Sequence, residues 1–344
     1  MLLFLDHTWN ISIDNIMTIL SIFGLNPSKL LESDKTPWID ADRPWFRKRQ
    51  MGAWTLVSIA HICVLYGIFY ATRGWWMIGI PFAYIFSMLG VYIGAHRYFT
   101  HNSFELNAFW HYFLGLVACL NISNSLIAWI GMHRMHHQYS DKRGDVHSPY
   151  INGYWGNGVR LYPADHRKNG PALKLEEKYI ADIRDNKFLL FIDNNYYKIL
   201  AVYLGLLYYI DPLAIIFFWA LPVIWYWWGL SFGLGSIVHW PHWGSYRNFN
   251  IPDYSTNVPW AYPLIGGEVY HNNHHAYPQA ADLGMAPGEW DFTWWFAKTV
   301  LRAKNPINRG YYYKGSPDQN GENPDMIQYE PQYSKLKELD RNIK

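Results

Sequence analysis

Two apolar runs stand back to back early in this chain, Trp54 to Tyr70 and Trp75 to Ala95, separated only by Ala71-Thr72-Arg73-Gly74. Neither run holds an Asp, Glu, Lys or Arg, and His61 is their one side chain that titrates readily near neutral pH. At 17 and 21 residues they approach the ~20 that a helix needs to cross the hydrocarbon core of a bilayer. A four-residue link makes them an antiparallel helical hairpin. A second pair comes much later, Tyr196 to Ile210 and Pro212 to Gly235, joined at Asp211-Pro212.

The apolar stretch from Ala108 to Met132 is different, because Asn121-Ile-Ser-Asn-Ser125 breaks it. Backbone groups in lipid must be satisfied internally, so this stretch is expected to be re-entrant or interfacial. The basic residues order the rest. Arg43, Arg47, Lys48 and Arg49 precede the first run, and Lys142, Arg143, Arg160, Arg167 and Lys168 lie between the pairs. The two short links hold Arg73 alone. Lys and Arg gather on the cytoplasmic side. The expected fold is therefore an all-α integral membrane protein, with four transmembrane helices as two hairpins under a cytosolic helical cap. Residues 1–50 read as an interfacial or cytosolic segment with an amphipathic helix over 11–25, residues 51–305 as the main domain, and 306–344 as a cytosolic tail. Asp6 and His7 interrupt the apolar start, so no signal peptide is expected.

Composition agrees. Charged residues are 16%, well under the ~25% of soluble domains. A mean hydropathy of −0.15 denies a bundle made only of membrane spans. The net charge of +2 excludes a strongly basic nucleic-acid binder. Cys63 and Cys119 make neither a disulfide framework nor a cysteine zinc site.

The histidines carry the chemistry. His96-Arg-Tyr-Phe-Thr-His101 follows the second run, His133-Arg-Met-His136-His137 ends the broken stretch, and His271-Asn-Asn-His274-His275 lies some 35 residues past the fourth run. Positions i, i+3 and i+4 share a helix face, so each of the latter boxes is expected to aim three imidazoles at one point. His96 and His101 diverge on a straight helix and need a distortion to converge. Imidazole binds Zn, Cu, Fe and Ni, and eight clustered rings exceed one four-coordinate ion. Two metals are the economical count.

These boxes, in this order around two hairpins, resemble the membrane fatty-acyl desaturases of the stearoyl-CoA type, over roughly residues 45 to 305, with bacterial-like members most similar. Further matches are Asn124-Ser125 with Trp129, Gln138-Tyr-Ser-Asp141, Tyr246-Arg-Asn-Phe249, Ser255-Thr-Asn257 and Gly267-Glu268-Val-Tyr-His-Asn-Asn-His-His-Ala-Tyr-Pro278. The resemblance implies a non-haem centre of two Fe ions that uses O2 to place a cis double bond, at the delta-9 position by family habit, in a fatty acyl-CoA or acyl-lipid. It implies an external electron donor, a ferredoxin or a cytochrome b5-like protein with its reductase, since no haem-binding domain is visible. It places Asn124 and Trp129 beside the acyl chain, and a ninth metal-binding histidine after the fourth run. His239 and His242 compete for that place, and both are expected to serve, because the family's Asn four residues earlier is Gly235 or Val238 here. Asp141, Asp145 and Glu268 could each hold a ligand imidazole through its second nitrogen, or pair with Arg97 or Arg134. A lipid hydroxylase on the same scaffold and a membrane metal-binding or transport protein are the competing readings.

Overall fold

The computed structural model describes residues 44–122, 125–141, 145, 148–152 and 179–307. The amphipathic segment at 11–25, Asn124 and the tail beyond 307 lie outside them. Among the described residues there is no strand, only isolated bridges such as Glu105 with Lys304 and Tyr246 with Asn257.

Helix α1, Pro44–Tyr70, and α2, Arg73–Ser87, make the first hairpin, and α2 runs straight on into a π-helical stretch, Met88–Thr100. Helix α3, Ala108–Ile122, is followed by α4, Leu126–Tyr139, at an angle of 82°. The break falls where the sequence places its Asn/Ser run. Ser125 caps α4 by accepting from the Ala128 N–H at 3.1 Å, and Asp193 accepts from the Leu126 N–H at 3.0 Å and from the Ser125 hydroxyl. Helix-start N–H groups with no intrahelical partner are thereby satisfied in an apolar setting. Asp193 comes from α5, Lys187–Asn194, which leads into α6, Tyr196–Ile210. The last apolar element is α7, Leu221–Tyr226, between π-helical stretches at Ile216–Ala220 and Trp227–Leu234.

The helices meet through a core that includes Met88, Val91, Tyr92, Leu114, Ile127 and Leu189, all essentially inaccessible. Phe217 stacks on Trp75 at 5.5 Å and lies over Gly79, where a Cβ would collide with its ring. By length and composition, among the described residues one continuous helix, Arg73–Thr100, could cross a membrane, and the bent pair α3–α4 would be a second if taken together. Shorter apolar helices at Thr55–Tyr70, Tyr196–Ile210 and Ile216–Gly229 stand where the sequence predicts the other spans. Their outward faces are apolar: Ile62, Phe69, Met77 and Tyr209 are all more than three-fifths exposed.

Residues 236–307 form the cap with little regular helix. Helix α8, His271–Ala276, carries the third histidine box, and α9, Phe292–Thr299, closes it. Buried asparagines tie the cap together. Asn272 Oδ1 accepts from the N–H groups of Asn248 and Phe249, and Asn273 Oδ1 accepts from the side chains of Asn248 and Asn257. Glu289 accepts from Asn273, Asn248 and Tyr246 and from the N–H groups of Met285 and Ala286. The strings Tyr246–Phe249, Ser255–Asn257 and His271–His275 are thus one hydrogen-bonded unit.

Candidate metal centre

The first box converges because its helix is wide. In the π-helical stretch hydrogen bonds run from i to i+5, and the last of them joins the His101 N–H to the His96 carbonyl at 3.2 Å. Residues five apart therefore sit one above the other, and the two rings meet with centroids 5.0 Å apart. Arg134, inside the second box, donates to the Phe99 and Thr100 carbonyls, at 3.4 and 3.0 Å, and holds the end of that stretch against α4.

Nine histidines gather into two groups whose ring nitrogens lie within 4.8 Å of one another. One is His96, His101, His133, His137 and His274; the other is His136, His239, His271 and His275. The expectation that each i, i+3, i+4 box aims at one point needs correcting. At about 100° per residue, i+4 falls roughly 40° to one side of i and i+3 roughly 60° to the other. His133 and His137 accordingly serve the first group while His136 crosses to the second. The third box does the reverse: His271 and His275 serve the second group and His274 crosses to the first.

The ring contacts are short. His274 Nε2 lies 2.9 Å from the Nε2 atoms of both His96 and His137, His133 Nε2 is 3.1 Å from His137 Nε2, and His239 Nε2 is 2.9 Å from His271 Nε2. Carboxylates take the far nitrogens. Glu268 meets His96 Nδ1 at 2.8 Å, Asp145 meets His136 Nδ1 at 2.8 Å, and Asp141 meets His239 Nδ1 at 2.9 Å. Asp253 meets His275 Nδ1 at 2.9 Å, a residue that sequence reasoning missed, although it stands two positions before the Ser255-Thr-Asn257 string. A ring that donates from Nδ1 to a carboxylate presents a lone pair at Nε2 in its neutral form. The Nε2 atoms of His136 and His275 face each other 3.2 Å apart. Ring nitrogens gathered this closely, with their far nitrogens turned to carboxylates, are a donor set that fits a metal.

Burial, and after it the crowding of other imidazoles, pushes the pKa of His101, His271 and His274 well below the usual histidine range. They are neutral at pH 7, as ligands must be. Burial opposes charge on Glu268, but Arg97 and then His96 hold its carboxyl below the ordinary range. Arg97, itself buried, grips Glu268 Oε1 at 2.8 and 2.9 Å and Asp291 Oδ2 at 2.6 Å. Gly267 is a glycine because a Cβ there would overlap the Asp291 carboxylate. Glu268 is thus both the ion-pair partner of Arg97 and the support of His96, two roles that the sequence presents as alternatives.

His242 is not drawn in. Residues Ile237–His239 form one 3-10 turn that ends at Trp240 in extended geometry, with Pro241 next, so no i, i+3 helical face exists. The His242 ring lies 5.7 Å from Trp260 and its Nδ1 meets the Trp243 carbonyl at 2.8 Å. Of the two, His239 stands among the clustered imidazoles and His242 stands outside them. Trp129 stacks flat on His133, centroids 5.2 Å apart, at the inner edge of the five-histidine group.

Fold and site together define a helical protein with apolar outer faces, built around a buried histidine cluster that could hold a metal. The sequence pattern of the fatty acid desaturase family matches residues 74–285. An sn-1 stearoyl-lipid 9-desaturase of Anabaena variabilis is 30% identical over 244 residues, 68% of this chain and 84% of the relative. Its counterpart in a Synechocystis strain is 29% identical, covering 70% and 75%. An icosanoyl-CoA 5-desaturase of Limnanthes douglasii is 27% identical, covering 75% and 71%. The chain belongs to the fatty acid desaturase family, a membrane-associated family of oxidoreductases that desaturate fatty acyl chains.

Proposed function

We propose that this protein introduces a cis double bond at the ninth position of a saturated acyl chain carried on a lipid or on CoA, with two iron ions held by its two histidine groups. The convergence of nine histidines into two tight groups carries the reading, with the Nε2 atoms of His136 and His275 set close together and each ring held from behind by a carboxylate. Iron, when bound, supplies the O2-dependent abstraction that no side chain here can begin, because a methylene has no acidic proton. Two hydrogens leave the acyl chain, and two further electrons from a donor protein, with two protons from solvent, complete the reduction of O2 to two waters. A ferredoxin or a cytochrome b5-like protein fits as donor.

The chain's own residues place and protect that chemistry. His96, His101, His133, His137 and His274 would hold one ion, and His136, His239, His271 and His275 the other. Asp141, Asp145, Asp253 and Glu268 fix their ring orientations and tautomers. Trp129, flat against His133, gives the acyl chain an apolar wall beside the first group. Asn124, the other residue assigned there from the sequence, is outside the described residues. Expression in a host lacking its own desaturase, followed by lipid profiling, tests the reading. Monounsaturated product with the bond at the ninth carbon supports it, a hydroxylated product replaces it with the hydroxylase, and unchanged lipids refute it. The lipid class in which product first appears separates the acyl-lipid from the acyl-CoA route.

The reading includes four spans with the centre on the cytosolic side. Support comes from the basic residues flanking the first run, the near absence of Lys and Arg from the two links, and the exposed apolar faces of α1, α2 and α6. A cysteine placed at Thr72 should react with an impermeant reagent from outside, and one at Asn169 should not. The opposite pattern would invert the topology.

A further inference from the structure

Four tryptophans stand out on the surface of the cap. Trp243 is nearly nine-tenths exposed, Trp260 and Trp290 more than half, and Trp295 nearly half. Single exposed apolar residues are ordinary, but contiguous ones mark a contact. These four are joined by their neighbours. The Trp260 indole lies over Gly244, next to Trp243, 3.3 Å from where a Cβ would stand. Two residues on, the Tyr262 hydroxyl donates to the Trp290 carbonyl at 2.7 Å and accepts from the Phe292 N–H at 2.6 Å. Phe292 in turn stacks on Trp295, with ring centroids 5.5 Å apart. One aromatic rim therefore runs along the cap from Trp243 to α9.

The rim is fastened to the apolar helices at its middle. The Leu264 carbonyl accepts from the Trp225 indole of α7 at 3.0 Å and from the Tyr92 hydroxyl at 3.5 Å. Ile265 packs over Gly233 in the π-helical stretch after α7. Beside that seat Trp228, itself nearly half exposed, donates to His61 of α1 at 3.2 Å. The surface then runs on into exposed Ile62 and Leu65. The aromatic rim begins where the apolar outer face of the helices ends.

Its chemistry selects the partner. An indole has an apolar body and one N–H, and such rings settle at the level of lipid headgroups. In the strings 241–244, 259–264 and 287–296 the charged residues are Glu289 and Asp291. Both turn inward, Glu289 to Asn273 and the Met285 N–H, and Asp291 to Arg97. The rim thus offers little charge by which a protein partner could be steered. Exposed Lys298 lies three residues after Trp295 and so on the same face of α9, the pairing of long cation and aromatic ring suited to a lipid phosphate above acyl chains.

We infer that the rim of Trp243, Trp260, Trp290 and Trp295 sits in the headgroup–acyl boundary of the leaflet on the cap's side, with phospholipid as its partner. The inference rests on the proposed membrane spans. An interfacial surface buries its apolar side by about 5–10 Å, so the cap lies partly in the leaflet instead of standing clear of it on its helices.

The test places an environment-sensitive fluorophore on single cysteines in the full-length protein, with Cys63→Ser and Cys119→Ala as background. The protein is held in lipid nanodiscs, a single copy per disc, made with plain or brominated phosphatidylcholine. Labels at Trp260→Cys and Trp295→Cys should lose emission to bromine near the headgroup end of the acyl chains. A label at Val202→Cys, on the exposed face of α6, should lose emission to bromine at mid-chain. Where Trp260→Cys fails to fold, Trp243→Cys on its exposed loop takes its place. Quenching at 202 with none at 260 and 295 would overturn the inference alone, leaving the rim to water or to a protein partner. No quenching at 202 would overturn the spans and the inference with them.

Discussion

The helical half and the cap half of the centre reach the same end by different means. His96, His101, His133, His136 and His137 are placed by backbone geometry, a π-helical stretch and an α-helix whose hydrogen bonds are local in sequence. His271, His274 and His275 are placed by side chains, through an asparagine–glutamate net whose members lie up to 41 residues apart, and His239 by Asp141 behind its ring. In a backbone-built half the bonds that position the ligands survive the loss of most other side chains, the Asp193–Ser125 cap and Arg134 aside. In the net-built half they do not, because removing one partner strands several buried polar groups at once.

Three substitutions probe that contrast. The largest effect is expected at the seam, where His274 touches His96 and His137 from the other side. His274→Ala should abolish unsaturated product and remove about one of the two ions, read by elemental analysis of the purified protein. Full iron content in that variant would separate the halves. Next comes Asn273→Ala, a residue that is no ligand. It leaves Asn248, Asn257 and Glu289 short of a partner, so a loss of about 2–4 kcal/mol in unfolding stability, with reduced iron, is expected by thermal or denaturant unfolding in detergent. A wild-type melting curve would show that the net is dispensable. The smallest effect belongs to His242→Ala, which should keep both ions and change stability by no more than about 0.5 kcal/mol. Loss of iron there would restore His242 to the ligand set.

The same contrast explains what could be read from the residues alone. Uncharged runs, the polar break at 121–125 and the i, i+3, i+4 boxes are local patterns, and each appears as an element where the sequence puts it. Local spacing also singles out Asp141 and Asp145, which follow the second box closely and stand beside His239 and His136. It failed for Asp253 and Asp291, which reach His275 and Arg97 across folded loops with no periodicity to announce them. The π-helical widening that rescues His96 and His101 leaves no mark in residue type. Pro241 was the available signal against His242, since no helical face could run through it.

The exchange of one histidine between α4 and α8 has a thermodynamic consequence. Each histidine group draws on both helices, so neither group is complete while the cap stands away from the helical half. If the proposed ions bind there, docking of the cap and their uptake form a single linked equilibrium, in which bound metal stabilises the docked arrangement by mass action. Chelation should then do more than silence the enzyme: it should expose the segment that joins the two halves to proteases, in proportion to the metal withdrawn.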